Sequence, residues 1–278
     1  LLGPDPRWRM LAPLVKSLTI TTPGGKVQNT TTQRTVILTD SSDPLSLRSF
    51  TQTTTINGRL FSSSYDASNR TLIGTSPTGR QISAIVDAKG RKVQQQFGGL
   101  DPVAYEYDAR GRPVTITQGT GITTRRATFT YNGAGFLETI TDPLGRITRF
   151  IYDTNGRVTQ QITPDNRIIA LAYDANGNAT AVTPPGRPSH TFNYSPVDLT
   201  SSYTPPDIGP GSEATSNTFN ADRQLIRVAL PNGQNVDLNY DGTSGRISNV
   251  NISRGQMNYD YAATSGNLAS IAAPDEAV

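Results

Sequence analysis

The chain has no cysteine, and among its 278 residues there are only one tryptophan, one histidine and two methionines. Without cysteine there can be no disulfide framework, no thiolate nucleophile and no cysteine-based zinc site. The single histidine, His190, stands in a strand-like run ahead of Tyr194, on the same side as Phe192. That placement suits a packed or half-exposed ring better than a general base. Lysine occurs only at Lys16, Lys26, Lys89 and Lys92, so arginine supplies the rest of the 25 basic residues and is spread along the chain. A nucleic-acid footprint gathers basic residues on one patch, so no nucleic-acid partner is expected despite a net charge of +3. No apolar run approaches the roughly 20 residues that a spanning helix requires, so no membrane span is expected. Leu1 to Leu18 carries proline and arginine where a signal peptide would hold its apolar centre. A G-x-S-x-G elbow, a phosphate-binding glycine loop, an H-E-x-x-H pair and an EF-hand loop are all missing, so no catalytic, metal or cofactor residue is assigned.

What the chain does have is a period. Tyr152, Tyr173 and Tyr194 recur at about 21 residues, and the same interval finds Tyr65, Val86, Tyr107 and Tyr131 upstream and Phe219, Tyr240 and Tyr261 downstream. The steps into Tyr131 and Phe219 are a few residues longer, as loop insertions are. Asp follows the anchor at Asp66, Asp87, Asp108, Asp153, Asp174 and Asp241, where a carboxylate can cap the free amides of a turn. Gly90, Gly111, Gly135, Gly156 and Gly177 stand four after the anchor, at a place that calls for a left-handed backbone. Asn69 is expected to take that place in the first unit, and in the last two units one inserted residue moves it to Gly245 and Gly266. Arg70, Arg91, Arg112 and Arg157 stand five after the anchor. Each is placed either over a tyrosine ring of its own or the adjacent unit, or in solvent.

A second turn recurs around Pro143, Pro164, Pro185 and Pro231, so each unit holds two strands. In the strand before the anchor, pairs such as Tyr105 and Tyr107, Phe150 and Tyr152, and Tyr259 and Tyr261 put aromatics on one face with polar residues between them. Asn217, before Phe219, breaks that pattern. Upstream, turns at Pro23-Gly24-Gly25 and Asn57-Gly58 predict hairpins, and Leu1 to Pro13 reads as a short helical or irregular lead-in with Trp8 packed on the first strands. The Pro- and Gly-rich stretch Tyr203 to Ser216 is a surface excursion and a candidate contact loop.

The signature YDARGRPVTI at 107–116, YDTNGRVTQQITPDNR at 152–167 and YDANGNATAVTPPGR at 173–187 resembles the YD repeat of bacterial Rhs proteins, shared with the C components of insecticidal toxin complexes and the teneurins. The resemblance implies an all-β fold in which antiparallel hairpins form a curved or spiralling sheet, part of a hollow β-shell. Roughly 20 strands at about 4.8 Å would make a ribbon about 95 Å wide, enough for about one turn of such a wall. Residues 1–50 are expected to be divergent leading strands and 51–278 the repeat array, still running past the C-terminus. The structural anchors are then Tyr65, Tyr107, Tyr131, Tyr152, Tyr173, Tyr194, Phe219, Tyr240 and Tyr261, with Gly111, Gly156, Gly177, Arg112 and Arg157.

By the same resemblance the expected function is a scaffold segment of a shell that encapsulates a toxin or other cargo, with no catalysis of its own. Its partners would be further repeats of the parent chain and an enclosed toxin domain, in a secreted or cell-surface bacterial protein. The alternative is an adhesion or fibre-forming module that binds glycan, protein or a neighbouring copy through its loops. Rhs proteins also carry a self-cleaving aspartyl segment, D-P-x-G-L. Asp142-Pro143-Leu144-Gly145 resembles it, but Arg146 replaces the leucine and the segment lies at a regular turn. Asn29, Asn69, Asn178, Asn193 and Asn251 fit the N-glycosylation acceptor pattern, which matters only in a eukaryotic source.

Overall fold

The computed structural model describes residues 1–207, 209 and 213–273. Within them the chain is antiparallel strand and turn, with one 3-10 turn at Gly121–Thr123. It divides into two compact units, Leu1–Arg146 and Ile147–Val278.

The first unit opens with β1 (Leu2–Asp5) paired to β2 (Arg9–Val15) in a two-stranded sheet of its own. This corrects the helical or irregular lead-in expected over Leu1 to Pro13. The cause is distant in sequence: Asp5, 2% exposed, accepts the amides of Arg7 and Trp8 and an ion pair from Arg34 at 2.5 Å. The Arg7 guanidinium lies 4.8 Å over the Trp8 ring, and Trp8 borders a small cavity of about 150 Å³ with Val36 and Phe50.

A meander follows, each strand antiparallel to the next: β3 (Ser17–Thr21), β4 (Val27–Leu38), β5 (Leu47–Ile56), β6 (Arg59–Asp66), β7 (Thr71–Thr75), β8 (Gln81–Val86), β9 (Lys92–Phe97), β10 (Val103–Tyr107), β11 (Pro113–Gln118), β12 (Arg125–Tyr131) and β13 (Leu137–Thr141). Between β5 and β6, Asn57 and Gly58 take φ of 47° and 79°, the two-residue hairpin turn their chemistry predicts.

The second unit continues the pattern with β14 (Ile147–Tyr152), β15 (Val158–Ile162), β16 (Ile168–Tyr173), β17 (Ala179–Thr183), β18 (His190–Tyr194), β19 (Thr200–Thr204), β20 (Thr215–Phe219), β21 (Leu225–Ala229), β22 (Asn235–Tyr240), β23 (Ile247–Ile252), β24 (Gly255–Tyr261) and β25 (Leu268–Ala272). Adjacent strands again pair antiparallel.

From Val86 on, each anchor is the last residue of its strand, and it pairs across a register shift. Tyr107 faces Pro113 while Glu106 faces Thr115, so Val114 is the extra residue of a bulge. The same shift recurs at Tyr131, Tyr152, Tyr173, Tyr194, Phe219, Tyr240 and Tyr261. A bulge adds local twist and re-aims a side chain, so every anchor leaves its strand in the same way. Along β10, β14, β18 and β24 half-buried and exposed residues alternate, with the anchors on the half-buried face. Among the described residues the one buried apolar side chain is Val250, at 7% exposure. At the start of the first unit the β1–β2 hairpin sets Asp5 and Trp8 against Arg34, Val36 and Phe50 on the face of Tyr65; in the later described strands the anchor face stays half-buried.

Candidate functional site

The repeated feature that gathers the singled-out residues is the turn after each anchor. In the turn after Tyr107, Asp108 Oδ1 accepts the amides of Arg110 and Arg112, each at 2.9 Å, and Oδ2 accepts the Arg112 guanidinium at 2.7–2.8 Å. Asp87 with Arg91, and Asp153 with Arg157, repeat this geometry within about 0.1 Å. The backbone amide of Arg112, and after it the guanidinium, hold the Asp108 carboxyl below the usual range against partial desolvation. Asp153 is lowered in the same way by Arg157.

The arginine also reaches forward. Arg91 lies 4.7 Å over the ring of Tyr107, Arg112 lies 4.0 Å over Tyr131, Arg157 lies 4.8 Å over Tyr173 and Arg246 lies 5.2 Å over Tyr261. Each ring belongs to the following repeat. Arg112 further donates to the Gly135 carbonyl at 3.0 Å and Arg157 to the Asp174 carbonyl at 2.8 Å. A cation over a tyrosine contributes about 0.5–1 kcal/mol at an exposed site. The tyrosine in turn reaches back. The phenols of Tyr107, Tyr131, Tyr173, Tyr194 and Tyr240 donate to the carbonyls of Lys92, Pro113, Val158, Ala179 and Leu225 at 2.7–2.9 Å. Each of those carbonyls belongs to the first residue of the preceding outgoing strand.

The glycine has two reasons to be there. Gly135 sits at φ 95°, and a Cβ on it would stand 3.3 Å from the Arg112 guanidinium. Gly111, at φ 84°, would meet Arg91 at the same distance. The backbone conformation was legible in the sequence, but the cation lying on it was not.

The departures are informative. The first unit belongs to the longer class of turn: Tyr65 pairs with Leu72, and the left-handed residue is Arg70 at φ 55°, not Asn69 as the sequence suggested. Asn69 instead caps the amide of Thr71. Among the described residues Arg70 lies over no ring, because the backbone position it occupies is the glycine's and not the arginine's. Elsewhere the left-handed position is taken by Asp198 at φ 61° and Arg223 at φ 63°. In the turn after Tyr173, Asn178 replaces the arginine and donates to both Asp174 and Asp198.

Around Phe219 amides take over both links. The anchor has no phenol, and Asn217 Nδ2 donates at 3.0 Å to Thr200 O, the carbonyl a tyrosine would have reached. Gln224 donates to Gly245 O at 3.0 Å, as Arg112 does to Gly135. The residue that broke the aromatic pattern is a replacement donor.

His190 Nδ1 is 2.8 Å from the Tyr203 hydroxyl, with the rings 5.9 Å apart, and Phe192 packs on the same tyrosine at 5.3 Å. Asp142 caps a turn through the amides of Leu144 and Arg146 and pairs with the Arg146 guanidinium at 2.6 Å. This is the same geometry as in the other Asp turns. Of the contact loop expected at Tyr203 to Ser216, Ile208, Pro210, Gly211 and Ser212 lie outside the described residues, as do the last residues of the C-terminal stretch, 274–278. Among the described residues no group of acidic, histidine or cysteine side chains could hold a metal, and no helix is long and apolar enough to cross a membrane, which leaves spanning by strands untouched.

The geometry has parallels in known proteins. The teneurin YD-shell family model matches residues 6–276. The crystal structure of TcdB2-TccC3-TEV superposes with a TM-score of 0.54 at 14% identity, over 98% of this chain and 19% of that one. The Photorhabdus luminescens Tc holotoxin pore gives 0.53 at 14% identity, over 97% and 19%. At that identity the likeness is one of fold. Double-stranded DNA deaminase toxin A of Burkholderia cenocepacia (strain H111) is 27% identical over 150 residues, 54% of this chain and 10% of that protein. The chain therefore spans less than a fifth of each of these relatives. With its turn-capping aspartates, forward-reaching arginines and backward-reaching tyrosines, and a family match over nearly its whole length, the chain belongs to the teneurin YD-shell family.

Proposed function

We propose that this chain is a stretch of wall in an Rhs-type shell that encloses a toxin or another polypeptide cargo, and that it acts by confinement and makes or breaks no bond itself. One observation carries the proposal: past the β1–β2 hairpin the anchors of the described strands lie on a face that stays half-buried, while successive repeats are tied to one another at their turns. A globular domain covers such a face with a second layer; a wall leaves it to whatever it surrounds. The tyrosines and glycines of the period, with Arg112 and Arg157, act as the wall's fastenings. Residues 1–50 serve as its divergent start, and 51–278 as the repeating part that further repeats of the parent chain prolong. The capping aspartates are saturated by their own turns, which suits fastening and leaves no free acid–base pair among them. Such a wall would work in a secreted or surface-displayed bacterial protein.

The test is limited proteolysis and electron microscopy of the full-length gene product. A hollow particle in which a segment is protected from protease until the wall is opened is the expected result. Open fibres, or a segment cut as fast as free peptide, would overturn it.

A further inference from the structure

One junction in the second unit departs from the repeat on both of its sides. In the turn after Tyr194, Ser195 takes the aspartate's place and caps the amides of Val197 and Leu199 with its hydroxyl. Leu199 stands five after its anchor, where Arg112 and Arg157 stand after theirs. The next anchor is Phe219, and among the described residues no cation or second ring lies over it. The left-handed place, held by glycine in the turns after Tyr152, Tyr173, Tyr240 and Tyr261, is held in the two turns of this junction by Asp198 and Arg223. That backbone is strained for a residue with a Cβ, and strain of this kind gathers where a side chain has a use.

Beside Phe219 lies a notch of about 500 Å³, inside the roughly 300–1,000 Å³ typical of small-molecule sites. Val197, Leu199, Phe219 and Ala221 give it apolar walls, and Asn217 and Arg223 stand among its polar lining. The Asp198 carboxylate is turned to the preceding repeat, where it accepts Asn176 and Asn178 at 2.9 and 2.7 Å, and neither it nor Asp222 lines the notch. The Arg223 guanidinium pairs with no acid among the described residues. In other repeats a flat guanidinium lies 4.0–5.2 Å from the anchor's ring. Leu199 brings no flat group to that place, so the notch combines an uncovered ring, aliphatic carbon at its sides and one unpaired cation.

We propose that this notch binds a small aromatic carboxylate, with its ring on Phe219 between Val197 and Leu199 and its carboxylate on the Arg223 guanidinium. A flat ring laid on Phe219 replaces the missing guanidinium and gains ring-on-ring contact. The carboxylate gains a charge-assisted hydrogen bond from a cation that has no acid of its own to satisfy. A single cation is too few for a nucleic-acid strand, whose binding needs many phosphate contacts. This goes beyond the wall role and does not rest on it.

Titration of the intact, methyl-labelled chain with 3-phenylpropionate, followed by NMR, decides the matter. Saturable shifts of the Val197 and Leu199 methyls are expected, with a midpoint of about 1 mM or below. The uncharged 3-phenylpropionamide should bind about tenfold more weakly. Arg223→Gly should weaken the acid by the same factor without lowering Tm, because it removes the cation and relieves the backbone together. Leu199→Arg should abolish binding by returning the repeat's own guanidinium to the ring. The proposal is overturned if the acid gives no saturable shift at these methyls, if the amide binds as well as the acid, or if either variant leaves binding intact. It is equally overturned if the peptide Gly-Gly-Phe binds and no free acid does, since the notch would then hold a chain end.

Discussion

Two stretches of the chain make the same links with different chemistry. At Asp87, Asp108 and Asp153 the turn is closed by a carboxylate and an arginine, and the arginine lies on the next tyrosine. Around Phe219 the turn is closed by Asn220 and Gln224, Gln224 reaches the next turn, and Asn217 replaces the phenol. The positions of the donors and acceptors are kept, while the charge is not. What the repeat requires is therefore a hydrogen-bond donor aimed forward and one aimed back, with a left-handed residue between them. The cation is one way of meeting that need.

The largest effect should come from the backbone. Gly135→Val puts a branched side chain at φ 95° and against Arg112. It is expected to cost about 2 kcal/mol, seen as a drop in Tm of roughly 4–8 °C. Arg223→Gly, at a left-handed position already held by a non-glycine residue, should raise stability by about 0.5 kcal/mol. If the two substitutions moved Tm in the same direction, the left-handed position would not be what the turns share.

Next is the exchange of donors. Asn217→Ala should cost about 1 kcal/mol by leaving Thr200 O without its partner. Phe219→Tyr in that background should restore at least half of the loss, because the new phenol is aimed where Tyr194 and Tyr240 send theirs. An unchanged or lower Tm on adding the phenol would mean the two chemistries are not interchangeable.

The smallest effect separates the carboxylate-capped turn from the amide-capped one. Asp108 has a folded pKa below its unfolded value, so its contribution is present above the unfolded pKa and is lost as pH falls through the lowered folded value. Amide exchange at Arg112 should accelerate on acidification below the ordinary carboxylate range, relative to Gln224, whose amide is capped by the Asn220 side-chain oxygen and not by a carboxylate. Asp108→Asn should remove that difference. Equal acid sensitivity at both turns would count against the distinction.

Much of this was legible in the sequence, because the period is carried by residues with one dominant use each. Asp starts turns, Gly takes left-handed backbone, and aromatics two apart share a strand face. The rest was hidden for two physical reasons. Contacts between repeats, such as Arg112 on Tyr131 or Asn217 on Thr200 O, join residues whose facing depends on register and bulge, which spacing alone does not fix. One-residue offsets within turns mislead as well: Asn69 occupies the counted position but Arg70 the left-handed one, because the first turn is longer. The β1–β2 hairpin was missed because Asp5 is held by Arg34, far along the chain.

The most direct test of the link between repeats is a thermal double-mutant cycle on Arg112→Ala and Tyr131→Leu. Stacking of the guanidinium on the next repeat's ring predicts a coupling of about 0.5–1 kcal/mol. Strictly additive losses would mean that the two side chains stabilise their own turns separately, and that the repeats are not fastened through them.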